Sequence, residues 1–243
     1  MSKTAEPGLV VAGELSEATI ALLRLAVKRG WRAAFVGSEP APQLRGLDVQ
    51  SYVAELVDSV EIEALFSMLT SQWGRPPISV VYMARLERVR ATVIESPEGW
   101  DAMLNEQLRA AFVLAQAGAK EMLRLRGGLP VDDGAVVFVG AAAVARGIPG
   151  HPQPTAGTAL AGLGGMTRQL AVEWGRLGIR VNMIQAGVVT PAAEQDFQVL
   201  KSVPLGRAGS PKEIAEACYY LISRASSYVT GAVLPVDGGY LAT

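Results

Sequence analysis

One cysteine and one histidine are all that 243 residues supply of two side chains that commonly bind transition metals. The cysteine, Cys218, sits among Ala217, Tyr219 and Tyr220 on an expected helix, where it can neither close an intrachain disulfide nor furnish a thiolate cluster. A reducing, cytoplasmic setting is therefore expected, and no metal site is. Charge of one sign is also scarce: 22 Lys and Arg face 23 Asp and Glu, the pI is near 6.0, and no run of five or six like charges occurs. That excludes a phosphate-tracking surface, so nucleic acid is not an expected partner. Long apolar runs are missing as well, and Met1 to Gly8 lacks a basic start followed by an apolar stretch and a cleavage site, so neither membrane nor targeting segment is expected. What the chain has is apolar character: half its residues are hydrophobic and mean hydropathy is +0.26, high for a lone soluble domain and consistent with surface covered by other subunits.

Short apolar runs recur at Leu9–Ala12, Arg32–Val36, Ser79–Met83, Ala135–Val139, Arg180–Ile184 and Val233–Val236. Between them, apolar residues at three- and four-residue spacing predict helices over Ser16–Arg29, Ser59–Trp73, Trp100–Arg126, Thr158–Leu177 and Pro211–Ser223. Gly30, Gly74, Gly127 and Gly178 follow four of these as stops. Strands alternating with helices give a parallel sheet, and its right-handed crossovers give an α/β, three-layer, doubly wound (Rossmann-type) fold, expected here as one domain over residues 1–243. In such a fold ligands bind beyond the carboxyl ends of the strands, so the residues that follow each apolar run decide the chemistry.

From Gly165 the chain reads G-M-T-R-Q-L-A-V-E-W-G-R-L-G-I-R-V-N, and between Pro204 and Tyr240 it reads P-L-G-R-A-G-S-P-K-E-I-A-E-A and then S-S-Y-V-T-G-A-V-L-P-V-D-G-G-Y. With W-D-A-M-L from Trp100, these stretches resemble the short-chain dehydrogenase/reductase family, in particular its ketoacyl-carrier-protein reductase branch. The resemblance implies a nicotinamide dinucleotide site and a tyrosine–lysine pair for proton transfer. It also shows where this chain departs.

The family opens with T-G-x-x-x-G-x-G, whose glycines let the backbone approach a diphosphate at a helix N-terminus. Here the stretch is Ala12, Gly13, Glu14, Leu15, Ser16, Glu17, Ala18, Thr19, with only the first glycine kept and Glu17 in place of the second. A carboxylate about 4 Å from a phosphate charge costs roughly 4 kcal/mol at an effective dielectric near 20. Without a ligand, the same residues read as Ser16 capping a helix and Glu17 complementing its dipole. The family's N-N-A-G becomes Tyr82, Met83, Ala84, Arg85, placing a cation in the cofactor's path unless Arg85 turns to solvent or pairs with Glu87 or another carboxylate. Glu55 falls at the adenine-contacting position, and Ser38 at the position that selects between the two dinucleotides. Counting back from Gly165, the catalytic tyrosine and lysine positions fall on Ala156 and Leu160, the substrate-binding serine on Ala141, and the water-holding asparagine on Gln107, with Asn105 expected to face elsewhere.

No Y-x-x-x-K occurs anywhere in the chain. His151 and Thr155 lie near the vacated tyrosine position and could carry a proton, or be ordinary loop residues. No catalytic residue is assigned on this reading, and no cofactor is expected on this chain; NAD(P) is expected only in an active partner. The resemblance also implies subunit contacts through the helices at Trp100–Arg126 and Thr158–Leu177 and through the last strand with the helix before it. Gly162, Gly164 and Gly165 would serve either close helix approach or internal packing. The segment between Thr190 and Pro204, where relatives carry a substrate lid, is short. Three readings follow. The first is a non-catalytic subunit assembled with an active paralogue of the family, as a hetero-oligomer of tetrameric size, working on hydroxyacyl or ketoacyl thioesters that include aromatic succinyl-CoA types. The others are a small-molecule sensor or scaffold, homo-oligomeric if it lacks a paralogue, and an oxidoreductase with displaced catalytic residues.

Overall fold

The computed structural model describes residues 6–85, 94–124, 126–127, 129, 131–145, 152–189 and 200–243. Seven strands form one parallel sheet: β1 (Gly8–Gly13), β2 (Arg32–Gly37), β3 (Val49–Val53), β4 (Ser79–Met83), β5 (Gly134–Ala141), β6 (Ile179–Ala186) and β7 (Val233–Val236), in the order β3-β2-β1-β4-β5-β6-β7. The helices are α1 (Glu17–Lys28), α2 (Ser59–Trp73), α3 (Pro97–Leu104), α4 (Ala110–Arg124), α5 (Pro154–Gly175) and α6 (Pro211–Ile222). The expected doubly wound α/β fold is thus the one observed. Strand order reverses between β1 and β4, where Gly13 lies beside Met83, and that switch point places the ligand crevice.

The central strands are buried on both faces, which is why they read as continuous apolar runs; all eight residues of β5 are buried. One core cluster joins the sheet to Ile62, Phe66, Leu114, Leu163 and Trp174, and the other joins it to Leu22, Leu23, Ile214, Cys218 and Leu221 of α1 and α6. Each such large side chain contributes about 1.5–3 kcal/mol on leaving water. Local signals fix the helix ends: Ser16, Asp58, Ser96 and Ser210 accept backbone hydrogen bonds as N-caps, and Gly30, Gly74, Gly127 and Gly178 all take the left-handed conformation expected of helix stops. Among the described residues, no helix is long and apolar enough to cross a membrane.

Three elements differ from the sequence reading. β3 was not anticipated, because every residue of this edge strand is half-buried or exposed and it presents no apolar run. The helix expected over Trp100–Arg126 starts earlier, at Pro97 behind its Ser96 cap, and is interrupted by a π-turn over Asn105–Arg109. There the Ala110 N–H reaches five residues back to the Asn105 carbonyl, and the buried Tyr82 hydroxyl donates to the Glu106 carbonyl. The wide turn is held by a hydrogen bond from a distant strand, which helical periodicity does not register. The helix expected from Thr158 begins at Pro154, a proline at the first helical position.

Candidate functional site

The crevice is built from the carboxyl ends of β1 and β4. Gly13 has φ of 103°, and a Cβ placed on it would lie 2.2 Å from the Met83 carbonyl oxygen, so glycine is required for the two strand ends to meet. The Glu14 N–H then donates to that same carbonyl at 2.9 Å. Beyond it, the turn closes on its own side chains. The Ser16 Oγ accepts from the Thr19 N–H at 3.2 Å, the Ser16 N–H donates to Thr19 Oγ1 at 3.3 Å, and Thr19 Oγ1 donates to the Glu14 carbonyl at 2.6 Å. Ser16 is therefore the helix cap, and exposed Glu17 lies in the first turn of α1, where a carboxylate complements the helix dipole. Thr19 itself is fully buried.

Four of the sequence-selected positions, Gly13, Ser38, Glu55 and Arg85, line one cleft of about 390 Å³, together with Glu14, Asn105 and Glu106. Arg85 is neither free in solvent nor on a dinucleotide path alone: its Nε is 3.2 Å from Glu106 Oε1, both side chains being partly exposed. Glu87, the other partner considered, lies outside the described residues. Gln107 is buried and its Nε2 donates to the Arg85 carbonyl at 2.5 Å, while Asn105, expected to face elsewhere, lines the cleft because the π-turn changes the helix register. Burial raises the Tyr82 hydroxyl above its ordinary range, with the Glu106 charge adding to the shift. A phenol so placed stays protonated and acts as the donor that fixes the turn. The Arg85–Glu106 pair is a partly exposed contact, so Arg85→Ala is expected to change the free energy of unfolding by no more than about 1 kcal/mol, and by less in high salt, as urea titration would measure.

A second, smaller bay of about 170 Å³ opens beside the first, with Glu14, Ser16 and Glu17 on its rim. Its remaining lining is Ala18, Met83, Ala84, Val139, Ala186, Val189, Pro211 and Ile214.

The positions at which the resemblance led one to expect proton-transfer residues are apolar and packed. Ala141, Ala156 and Leu160 are buried, Leu160 with only 5% of its surface exposed. Leu160 lies on the end of β5: a Cβ on Gly140 would meet its Cδ1 at 2.4 Å and the Met183 Cε at 3.3 Å. Thr155 is buried in the first turn of α5, and His151 lies outside the described residues. Cys218 is wholly buried, which pushes its thiol up to about 12 and leaves it without nucleophilic character at neutral pH. Sequence reasoning had missed Glu106 as the partner of Arg85 and Glu14 as a wall of both clefts. Gly162 turns out to serve internal packing, since a Cβ there would lie 2.9 Å from Leu108 Cδ2, whereas Gly165 faces open space.

The family model described as Enoyl-(Acyl carrier protein) reductase matches residues 29–241. A 3-oxoacyl-[acyl-carrier-protein] reductase of Thermotoga maritima is 33% identical over 198 residues, covering 79% of this chain and 76% of the relative. The (2S)-[(R)-hydroxy(phenyl)methyl]succinyl-CoA dehydrogenase subunit BbsD of Thauera aromatica is 32% identical over 202 residues, covering 80% and 77%. Among solved structures, an oxidoreductase of the short chain dehydrogenase/reductase family from Burkholderia thailandensis superposes with a TM-score of 0.85 at 28% identity, covering 99% of this chain and 94% of that one. From the match of 213 consecutive positions, the relatives and the sheet order alike, the chain belongs to the short-chain dehydrogenase/reductase family.

Proposed function

We propose that this chain is a non-catalytic subunit which assembles with an active paralogue into a hetero-oligomeric NAD(P)-dependent oxidoreductase of the cytoplasm, acting on hydroxyacyl or ketoacyl thioesters. The observation that carries this reading is Leu160: where proton transfer needs an ammonium to lower a phenol's pKa, an aliphatic side chain packs on Gly140, and Ala156 offers no phenol. The dinucleotide crevice supports it, because the residues present do not fit the cofactor. Glu14 and Glu17 bring negative charge to the bay meant for a diphosphate, the Ser16–Thr19 cap has taken up backbone groups of the turn, and the Arg85–Glu106 pair stands in the adjoining cleft. On this proposal the partner alone holds NAD(P).

Assembly has surfaces to use. Phe112 on α4 and Val172 on α5 are 41% and 82% exposed, and Tyr220 on α6 and Tyr228 in the segment between α6 and β7 are exposed as well. Isologous contacts of this kind adapt readily to a similar partner. That a relative is named as one subunit of an aromatic succinyl-CoA dehydrogenase supports thioesters as the substrate class. The test is purification of the chain with and without co-expressed intact paralogues, followed by calorimetric titration with NADH. The expected result is a mixed tetramer that binds one NADH for every two chains, while the chain alone gives no saturable heat. A stable homo-oligomer that ignores every paralogue, or micromolar NADH binding by the chain alone, would overturn the proposal.

A further inference from the structure

Beyond the subunit role, we infer that the open edge of β3 is an interface at which a second copy of this chain adds its own β3, antiparallel and about a two-fold axis through Ser51. β3 is the outermost strand of the sheet, at the end opposite β7, and among the described residues no other strand pairs with that edge. Its register against β2 runs unbroken from Val49 to Val53, so it has no bulge, and its residues V-Q-S-Y-V include no charge and no proline. Bulges, charges and prolines are the devices by which edge strands usually repel one another. One bond fixes the direction of the backbone: the Ala54 N–H donates to the Gly37 carbonyl at 3.0 Å, on the β2 side. In a parallel ladder both polar groups of a residue point the same way and the direction alternates along the strand. Gln50 and Tyr52 therefore direct theirs to β2, while Val49, Ser51 and Val53 direct theirs outward.

The strand's own sequence selects the partner. With Ser51 facing Ser51 of the other copy, Gln50 faces Tyr52 and Val49 faces Val53, and the outward groups close as hydrogen-bonded pairs, Ser51 with Ser51 and Val49 with Val53. The edge is thus complementary to itself, as an isologous contact requires. Val49, Ser51 and Val53 share the sheet face of Ala33 and Phe35, where Val53 is 54% exposed and Val49 of the other copy covers it. On the opposite face Gln50 Nε2 and the Tyr52 hydroxyl both donate to Gln72 Oε1 at 3.1 Å, and Trp73 Nε1 donates to Gln50 Oε1 at 2.9 Å. The strand is therefore fixed before a partner arrives, which lowers the ordering cost of pairing. Charge agrees with the antiparallel sense. It carries the exposed Arg45 ahead of β3 toward the exposed Glu55 that follows β3 in the other copy, whereas parallel pairing sets Arg45 beside Arg45 and Glu55 beside Glu55. Strands this short bury less than the ~1,200 Å² of a stable complex, so the contact is transient, with a Kd of about 0.1–1 mM.

Disulfide trapping on the full chain tests both the contact and its register. The only native cysteine, Cys218, is wholly buried, so a cysteine placed on β3 is the accessible thiol. A hydrogen-bonded Ser51 pair sets its two Cα atoms about 5.5 Å apart, within disulfide range, whereas the two Val53 positions lie roughly 13 Å apart. Ser51→Cys is expected to oxidise to a covalent dimer at least about tenfold faster than Val53→Cys at equal concentration, while a mixture of Val49→Cys and Val53→Cys should cross-link one variant to the other. Ser51→Pro removes an outward donor without touching the β2 ladder, and should weaken the concentration-dependent association seen by sedimentation at least about tenfold. Should it fail to fold, Ser51→Lys sets like charges opposite each other and should do the same, the loss being smaller in high salt. Equal cross-linking rates at positions 51 and 53, or association up to about 1 mM that Ser51→Lys leaves untouched, overturns the inference. So does an edge that takes up an extended peptide of another protein but not its own copy. Trapping is read on the chain alone, so it fails or succeeds separately from the subunit role.

Discussion

Placing tyrosine and lysine at the positions that the resemblance assigns to the catalytic pair, as the double variant Ala156→Tyr/Leu160→Lys, is expected on the proposed reading to yield a less stable protein that still turns over no ketoacyl thioester with NADH or NADPH. Leu160 belongs to the main core cluster, which also holds Met183, and its Cδ1 lies where a Cβ on Gly140 would be. A lysine there must bury its ammonium or bend the first turns of α5 away from β5, and an unpaired buried charge costs several kcal/mol or loses its proton. Ala156 is also buried, so a phenol ring overpacks its surroundings, typically at 1–3 kcal/mol. The two sites are one helical turn apart and will not add independently, which sets the expected loss at about 3–5 kcal/mol. For a chain of this length that is a fall in Tm of roughly 6–20 °C. Activity stays at background because a general acid contributes only about 10²- to 10⁴-fold to a reaction whose cofactor is already held, and Glu14 and Glu17 remain where the diphosphate would go. Denaturation with urea and a coupled NADH-oxidation assay check the two halves. A double variant as stable as the parent, with thioester-dependent NADH oxidation above background, would mean that α5 still frames a working pocket.

What could be read from the residues follows from where the stabilising contacts lie. β4 and β7 and α2 have the bounds their apolar spacing gave: β4 is buried throughout, β7 keeps an apolar run although its residues are half-buried or exposed, and α2 is capped by Asp58 and stopped by Gly74. β3 carries none, since an edge strand with exposed Gln50 and Ser51 owes its place to pairing with β2 rather than to burial. The π-turn is equally silent in sequence: its cause is Tyr82, more than twenty positions away, which supplies a donor for the Glu106 carbonyl. The site divides the same way. The family resemblance pointed to Gly13, Ser38, Glu55 and Arg85, which share one cleft, and the capping reading of Ser16 could be made from residue type alone. The direction of each side chain could not. Leu160 turns onto Gly140, and Arg85 turns to Glu106 on an element that the sequence had shown as an unbroken helix.

Gly13→Ala is expected to destabilise the chain by about 2–4 kcal/mol, whether or not any nucleotide is present. Two costs combine. At φ of 103° an L-residue is strained by roughly 1–2 kcal/mol, and the added Cβ would sit 2.2 Å from the Met83 oxygen, a backbone atom that cannot rotate away. Relief requires the ends of β1 and β4 to part, which breaks the bond from Glu14 to Met83 and opens both clefts at once. Gly165→Ala provides the contrast, since nothing lies within 4 Å of its Cβ position on α5, and replacing a helical glycine there should stabilise the isolated chain by about 0.5–1 kcal/mol. Parallel urea titrations of the two variants measure both signs. On the proposed reading, Gly13 is the one glycine kept of the expected phosphate turn, and the two variants bear on why. A glycine kept for a ligand can be replaced at little cost to an unliganded fold, whereas one kept for a strand contact cannot. If Gly13→Ala left stability unchanged, the close approach of Gly13 to Met83 would not be what holds the crevice in shape, and retention of that residue would again point toward a bound phosphate.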